Sequence, residues 1–416
     1  MIKYLESYLD IEKLMTKKKK EVCIFGAGKF GRNGAYELLE LMDVKVDFYC
    51  DNYVPVDTIV RDNIRVRDVN YLYENQHDIW VFLCILNGGS KQEQILNQLK
   101  EKNVENVLVI NRETYCAVLT SIDSADENIK GKYSKLYDDE KYLKYLFEKR
   151  MGYIPDLKKP RTFNEKLQWL KIHDRRSEYT NMVDKYEFKK YIAGIIGEQY
   201  VIPTIGVWDS VDAIEWDKLP EQFVLKCTHD SGSVAICRNK EEFDSREIKE
   251  KFSLALSHNY YWSCREWPYK NVKPRIIAEE YMEEEGFKVL NVYKIFNFNG
   301  KPRLIQVIQD DKTLEETIDY FDTQWNRLEL RQNYPNSKKS LPCPEQLDEI
   351  LELAEKLSQG IPFVRTDFYI INGKIYVSEF TFYSDAGMAK FHPTEWDYVL
   401  GDYILLPCKK EIIQEG

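Results

Sequence analysis

No apolar run in this chain approaches the roughly 20 residues that cross a bilayer, and its opening, MIKYLESYLD, has no apolar signal core. Neither a membrane span nor a secretory leader is expected. Positive charge is not in excess: 59 Lys and Arg stand against 69 Asp and Glu, a net charge of −10. That balance argues against a general nucleic-acid or anionic-membrane binder, although local basic clusters can still hold phosphates. Nine cysteines occur without a CxxC or a Cys/His pairing, so no zinc site is expected. Cys23, Cys50 and Cys84 lie in apolar, strand-like runs and read as buried thiols, and an odd, scattered set fits a reducing cytoplasm. Disorder is excluded as well. Hydrophobic residues at 44% and aromatics at 13% supply cores for two or three domains over 416 residues.

What is present begins with an amphipathic stretch, residues 1–16, read as a helix, and the basic run Lys17 to Lys20. The run reads as a solvated linker and leaves contact with the inner face of a membrane open. Residues 21–31, EVCIFGAGKFG, give an apolar strand, the glycines Gly26, Gly28 and Gly31, and then a helix through Leu41. A second strand, Val44 to Cys50, ends at Asp51; a third, Ile79 to Leu86, runs into Asn87-Gly88-Gly89. This is the order of a dinucleotide-binding unit. The glycines permit a tight turn, a helix N-terminus attracts a pyrophosphate, and the acid meets a ribose. The domain is set at 1–118, with no acid/base or hydride-transfer set inside it. It resembles the small Rossmann-like domain at the N-terminus of sugar-modifying bacterial enzymes. That resemblance implies a nucleotide or nucleotide-sugar site, or a domain kept for assembly.

Residues 119–150 read as a linker and docking helix, and 151–416 as a second domain. There RTFNEKLQWLK is an amphipathic helix and Met182 to Ile192 another, carrying Lys185. FVLKCTHDSGSVAIC places Lys226 at a strand end before a small-residue loop, His229 to Ser233, with Gly232 near its tip. Such a loop can lay backbone N–H groups over phosphates; the bland reading is an ordinary polar hairpin. PRIIAEEYM is a buried strand ending in two acids and a Tyr-Met pair.

The most informative stretch is VRTDFYIINGKIYVSEFTFYSDAG, residues 364–387. It reads as two strands around Asn372-Gly373. Asp367 and Glu379 share a face or not according to the turn. A two-residue Asn-Gly loop sets Asp367 opposite Ser378 and turns Glu379 to the reverse face. A three-residue loop with Gly373 in a bulge sets Arg365 opposite Glu379, on the face of Asp367. The second register is expected, with Arg365, Asp367, Tyr369, Val377, Glu379 and Thr381 on one face and Phe368, Ile370, Tyr376, Phe380 and Phe382 on the core face. Two acids and a guanidinium on one face suit a hard cation that travels with phosphates; a solvated salt bridge is the plain alternative.

Taken together, FNEKLQWLK, VDKY, FVLKCTHDSG, REWPY, PRIIAEEYM, YKIFNFNGKP and RTDFYIINGKIYVSEFTF resemble the TupA-like ATP-grasp family over roughly residues 150–405. The family is named for teichuronopeptide biosynthesis and is found among bacterial capsule and cell-surface glycan genes. The resemblance implies an ATP-grasp fold with antiparallel nucleotide-binding sheets behind the Rossmann-like parallel sheet, a combination of α/β and α+β architecture. It implies ATP and Mg2+ as cofactors. Lys185 and Lys226 would contact the phosphates, and His229, Ser231, Gly232 and Ser233 would close over them. Glu280, Tyr281 and Met282 would hold adenine, Glu283 the ribose. Asp367, Glu379 and Thr381 would hold the metal, although the wider superfamily has Asn at the last of these positions. Arg365 would stabilise the transferring phosphoryl group, with Lys294 beside it.

The activity implied is a carboxylate–amine ligase that forms an amide through an acyl phosphate, acting on a small or glycan-linked acid and an amine or amino acid in the cytoplasm. A phosphotransferase on the same fold and a nucleotide-sugar binder without catalysis are the alternatives, and a homo-oligomer is left open.

Overall fold

The computed structural model describes residues 2–16, 20–28, 30–84, 90–243, 245–283, 290–311, 313 and 315–407. The expectations for Lys17 to Lys19 and for Asn87-Gly88-Gly89 fall outside these. Two compact units emerge. One comprises Met1–Tyr142 with Ser253–Ser263, the other Leu143–Phe252 with Cys264–Gly416.

The first unit is built on a parallel sheet of β1 (Ile2–Tyr4), β2 (Glu21–Phe25), β3 (Phe48–Cys50), β6 (Ile79–Cys84) and β7 (Val107–Ile110), in the order β1-β7-β6-β2-β3. A separate small hairpin pairs β4 (Ile59–Arg61) with β5 (Ile64–Arg65). The three interior strands of the sheet are almost entirely buried, as parallel strands covered on both faces must be. Cys23, Cys50 and Cys84 are buried thiols in β2, β3 and β6. Residues 1–16 are not one helix. Ile2–Tyr4 pairs with Val107–Val109 as an edge strand, and the helix starts only at Tyr8. The break is at Ser7, an N-cap whose backbone N–H and that of Glu6 donate to Asp10 Oδ2 at 3.2 and 3.1 Å.

The second unit carries two antiparallel sheets. The four-stranded sheet has β8 (Thr204–Trp208), β9 (Phe223–Cys227), β10 (Val234–Cys237) and β11 (Ile276–Glu280), ordered β10-β9-β11-β8. The five-stranded sheet has β12 (Val292–Phe298), β13 (Lys301–Gln309), β14 (Thr317–Phe321), β15 (Phe363–Ile371) and β16 (Lys374–Thr381), ordered β14-β13-β12-β15-β16. The main core lies behind this second sheet. Phe163, first residue of the helix Phe163–His173, packs edge-to-face on Phe363 at 4.9 Å and lies near Phe296, Phe298 and Phe391. Truncating so enclosed a ring costs about 3–5 kcal/mol.

The hairpin β15–β16 corrects the expected register. Its turn is the two-residue loop Asn372-Gly373, both with positive φ (50° and 75°), and Ile371 pairs with Lys374. That register holds as far as Phe368 opposite Val377. There a β-bulge at Ser378 adds one residue to β16, and beyond it Asp367 faces Glu379 and Arg365 faces Thr381. The two acids share a face, but the bulge puts them there and not the turn. Because the slip lies past Val377, Val377 joins the core and the half-buried Tyr376 lies on the face of Tyr369, the reverse of what a three-residue turn would give.

Candidate functional site

Asp367, on the second strand in from the edge of the five-stranded sheet, is 2% exposed. Arg365, two residues earlier on the same face, donates from Nε to Asp367 Oδ1 at 2.7 Å and from Nη2 to Oδ2 at 2.8 Å, a bidentate fork. Lys294 on β12 pairs across the ladder with Asp367 and brings Nζ to 3.2 Å from Oδ2. Burial alone would push this carboxyl up, yet the guanidinium and the ammonium hold it below the ordinary aspartate range. Arg365 also donates to Thr381 Oγ1 at 3.0 Å and Ser384 Oγ at 3.2 Å. Glu379 stands apart: its carboxylate is 4.0 Å from Arg365 Nη2 and its side chain is 43% exposed.

The four-stranded sheet holds a second cluster, in which the expected Lys226 meets two residues that the motifs did not point to, Glu279 and Lys189. Lys226 and Glu279 lie on the same face of β9 and β11, diagonal neighbours in a register that pairs Ile277 with Lys226 and Glu279 with Val224. Glu279 Oε2 is 2.5 Å from Lys226 Nζ, and Oε1 is 2.7 Å from Lys189 Nζ, which reaches in from the helix Glu187–Ile196. Although burial opposes its charge, the two lysines hold the Glu279 carboxyl down to about 2. The lysines respond in opposite directions. Burial wins at Lys189 and lowers it. At Lys226 burial is outweighed by Glu279, with Tyr369 and Glu379 of the other sheet adding to the pull. Lys226 therefore feels the acid of the hairpin, and the two clusters share one electrostatic neighbourhood. Strand alternation could have flagged Glu279, since Val224 and Lys226 are the half-buried positions of β9. The run Ile276–Ala278, buried on both faces, hid the period.

Lys185 is not on a helix. The expected helix Met182 to Ile192 breaks into Tyr179–Val183 and Glu187–Ile196, with Asp184-Lys185-Tyr186 as the turn between them. Asp184 causes the break: its Oδ1 accepts from Tyr186 N at 2.9 Å and Glu187 N at 3.3 Å, capping the second helix. Lys185 N donates to Thr228 O at 3.2 Å, and its Nζ donates to Asp230 O, so the lysine is tied at both ends to the loop after β9. That loop returns where Cys227 N donates to Ser233 O at 3.0 Å. Gly232 takes φ 118°, Ser233 Oγ bonds Asp230 Oδ2, and His229 and Ser233 are buried while Ser231 is exposed.

On the expected adenine side, Tyr281 and Met282 follow β11 and are half-buried, while Glu280 and Glu283 point to solvent. Arg238 Nε donates to Tyr281 Oη at 3.0 Å.

In the first unit, Gly26 and Gly31 are fixed by packing. A Cβ on Gly26, whose φ is 116°, would lie 2.4 Å from Cys84 O, and one on Gly31 would lie 1.8 Å from Gly26 O. Among the described residues, a Cβ on Gly28 would meet nothing within 4 Å. Asp51, expected on a ribose, accepts from Ala27 N at 2.7 Å and from Tyr53 and Val54 N at 2.8 and 3.1 Å, so it staples the glycine turn.

The donor set around Asp367 fits a hard cation. Two carboxylates face each other across one strand pair, and among the described residues Glu379 makes only a 4.0 Å pair with Arg365. Thr381, the expected third oxygen, lies opposite Arg365 and accepts its hydrogen bond. Among the described residues no group of three or more His, Cys, Asp or Glu forms a cage. A cation here would complete its shell with water and phosphate oxygens.

A family model described as TupA-like ATPgrasp matches residues 165–405. No curated protein matches the chain. Among solved structures, D-alanine–D-alanine ligase from Bacillus anthracis is similar at 14% identity, covering 95% of this chain and 100% of that one, with a TM-score of 0.33. D-cycloserine synthetase DcsG is similar at 11% identity over 94% of this chain and 99% of that one, TM-score 0.31. The ATP-grasp ligase PsnB, complexed with minimal precursor, is similar at 8% identity over 95% and 98%, TM-score 0.30.

Proposed function

Because the chain belongs to the TupA-like ATP-grasp family, we propose that it is an ATP- and Mg2+-dependent carboxylate–amine ligase acting on a cell-surface glycan precursor in the cytoplasm. The observation that carries this reading is the pairing of Asp367 with Glu379 beside Arg365 and Lys294, with Lys226 of the other sheet in the field of Glu379. Lys226 and Lys185 bind the phosphates of ATP, and the His229 to Ser233 loop covers them. Asp367 and Glu379 would hold Mg2+, which would screen the phosphate oxygens and draw charge off the transferring group.

A substrate carboxylate oxygen attacks the γ-phosphorus and ADP leaves. The product is an acyl phosphate, and Arg365 steadies the charge spread over the moving phosphoryl oxygens. An amine then adds to the acyl carbon, phosphate departs with the C–O electron pair, and the amine loses a proton as the amide forms. No side-chain nucleophile is needed. These steps use positioning and charge, which are what the site supplies. The glycan acceptor rests on the family likeness alone. In the first unit, the open space at Gly28 supports a nucleotide or nucleotide-sugar, because none of the described residues approaches a Cβ there.

The test uses the full chain with ATP, Mg2+, hydroxylamine as the amine and a panel of uronic acids and amino acids. A hydroxamate with ADP and phosphate in equal amounts is expected for the right acid. A stable phospho-product without free phosphate would replace the ligase with a phosphotransferase.

A further inference from the structure

Between the phosphate-side lysine and the loop it serves lies a residue that neither the motifs nor the proposed chemistry uses. Arg275 is the last residue before β11, and its side chain is 14% exposed. Its Nη2 is 2.7 Å from Asp184 Oδ2 and 3.0 Å from Glu187 Oε1, so one nitrogen bridges the two acids that flank Lys185. Its guanidinium carbon lies 4.9 Å from the ring centroid of Tyr186, the remaining residue of that turn. Its backbone acts on the other partner. Arg275 O accepts from Thr228 N at 2.8 Å, while Thr228 O accepts from Lys185 N at 3.2 Å. Thr228 is the root of the His229 to Ser233 loop, and Lys185 Nζ donates to Asp230 O within it.

The geometry points to Arg275 as a positioning residue for nucleotide phosphates: it fastens the Asp184–Glu187 turn to the root of the 228–233 loop, so that Lys185 and the loop amides meet the phosphates as one body. This rests on the nucleotide reading of the second unit. The physical case is that each piece alone is loosely specified. The turn is a three-residue break between helices, and a break of that kind has no register of its own. The loop tip is a glycine flanked by serines, with Ser231 and Gly232 exposed. Held separately, both would lose conformational freedom when a phosphate bound, and affinity would fall by that cost. A nearly buried guanidinium with two carboxylates and a ring removes most of that freedom beforehand. Asp184 is needed twice, since Oδ1 caps the following helix while Oδ2 holds Arg275.

The distinguishing readout compares ligands that differ only in phosphate. Isothermal titration with Mg·AMP-PNP and ligand-observed NMR with adenosine are run on the full chain and on Arg275→Met. The expected result is a loss of about tenfold or more in AMP-PNP affinity, with adenosine affinity changed less than about twofold. Arg275→Lys should recover part of the loss, because a single nitrogen makes both carboxylate contacts. Glu187→Gln, which removes one partner and leaves the helix cap in place, covers the case in which Arg275→Met does not fold; about threefold is expected, again for AMP-PNP only. An unchanged AMP-PNP affinity, or an equal loss for adenosine, would overturn the positioning role. Failure of the unsubstituted protein to bind AMP-PNP would instead sink the nucleotide reading itself.

Discussion

Two carboxylates in the second unit are each bracketed by a pair of cations, and they differ in how fully they are closed. Glu279 has one lysine on each oxygen. Asp367 has Arg365 on both oxygens and Lys294 on one, but across the ladder it faces Glu379, whose carboxylate is only loosely held at 4.0 Å. The first cluster carries one cation more than it needs. The second is brought to balance by an acid that still has oxygens to give. Under the proposed function, the first cluster would meet a polyanion and the second the metal that accompanies it. A sheet built only for stability would close both, since a buried charge without a partner is costly.

The comparison can be broken first at the closed carboxylate. Glu279→Gln strands the buried Lys189 and the half-buried Lys226, and Asp367→Asn strands Arg365 and Lys294. Removing one partner of a buried pair costs about 3–5 kcal/mol, so each should lower Tm on the order of 10 °C. Glu379→Gln should leave Tm within about 2 °C, because that side chain is part-exposed, yet cut Mg2+-dependent ATP turnover by about 10²–10³-fold. Calorimetry and ADP release on the three variants decide it. Equal thermal losses for all three would erase the distinction.

A gentler probe is pH. The Glu279 carboxyl is held at about 2, below the ordinary glutamate value near 4.3. A lowered carboxyl contributes stability above its unfolded value and loses it as pH falls toward the folded one. Tm should therefore hold level down to about pH 4.5 and fall from there toward pH 2, a decline that Asp367 shares. Glu279→Gln should flatten part of this limb. A limb unchanged in that variant would remove Glu279 as its source.

The contrast of closed and open extends to the first unit, where one glycine is closed in by packing and the other carries the smallest expected effect. Gly31→Ala forces a Cβ against Gly26 O at 1.8 Å and should unfold or rearrange the glycine turn. Gly28→Ala has room and should leave Tm within about 1 °C. Any cost it carries should show only as weaker binding of a nucleotide or nucleotide-sugar, read by titration.

Much of the fold was legible in the order of the chain. β2 with its glycines, the strand–loop–strand around Lys226 and the hairpin around Asn372-Gly373 were each marked by turn residues between apolar runs. The misreadings fell where local patterns permit two answers. Residues 1–16 are apolar enough to be helix or strand, and the cap at Ser7 together with a vacant edge on β7 split them. The Lys185 helix is interrupted by Asp184, whose Oδ1 caps the helix that follows while its Oδ2 is held by Arg275. Glu279 was hidden beside Glu280 because adjacent acids on a strand look alike until burial separates them.

The hairpin states this division most clearly. The sequence alone determined a two-strand ribbon with Arg365, Asp367 and Glu379 in it, since the alternation and the Asn-Gly turn need no outside help. It did not determine that Asp367 would face Glu379. With the turn that formed, an unbroken ladder turns Glu379 toward the core. Packing chose otherwise: burying Val377 and Phe380 on the same side requires one residue between them to step out of register, and Ser378 is that residue. The choice belongs to the tertiary structure because the core behind the sheet, not the ribbon, sets which side chains must be inside.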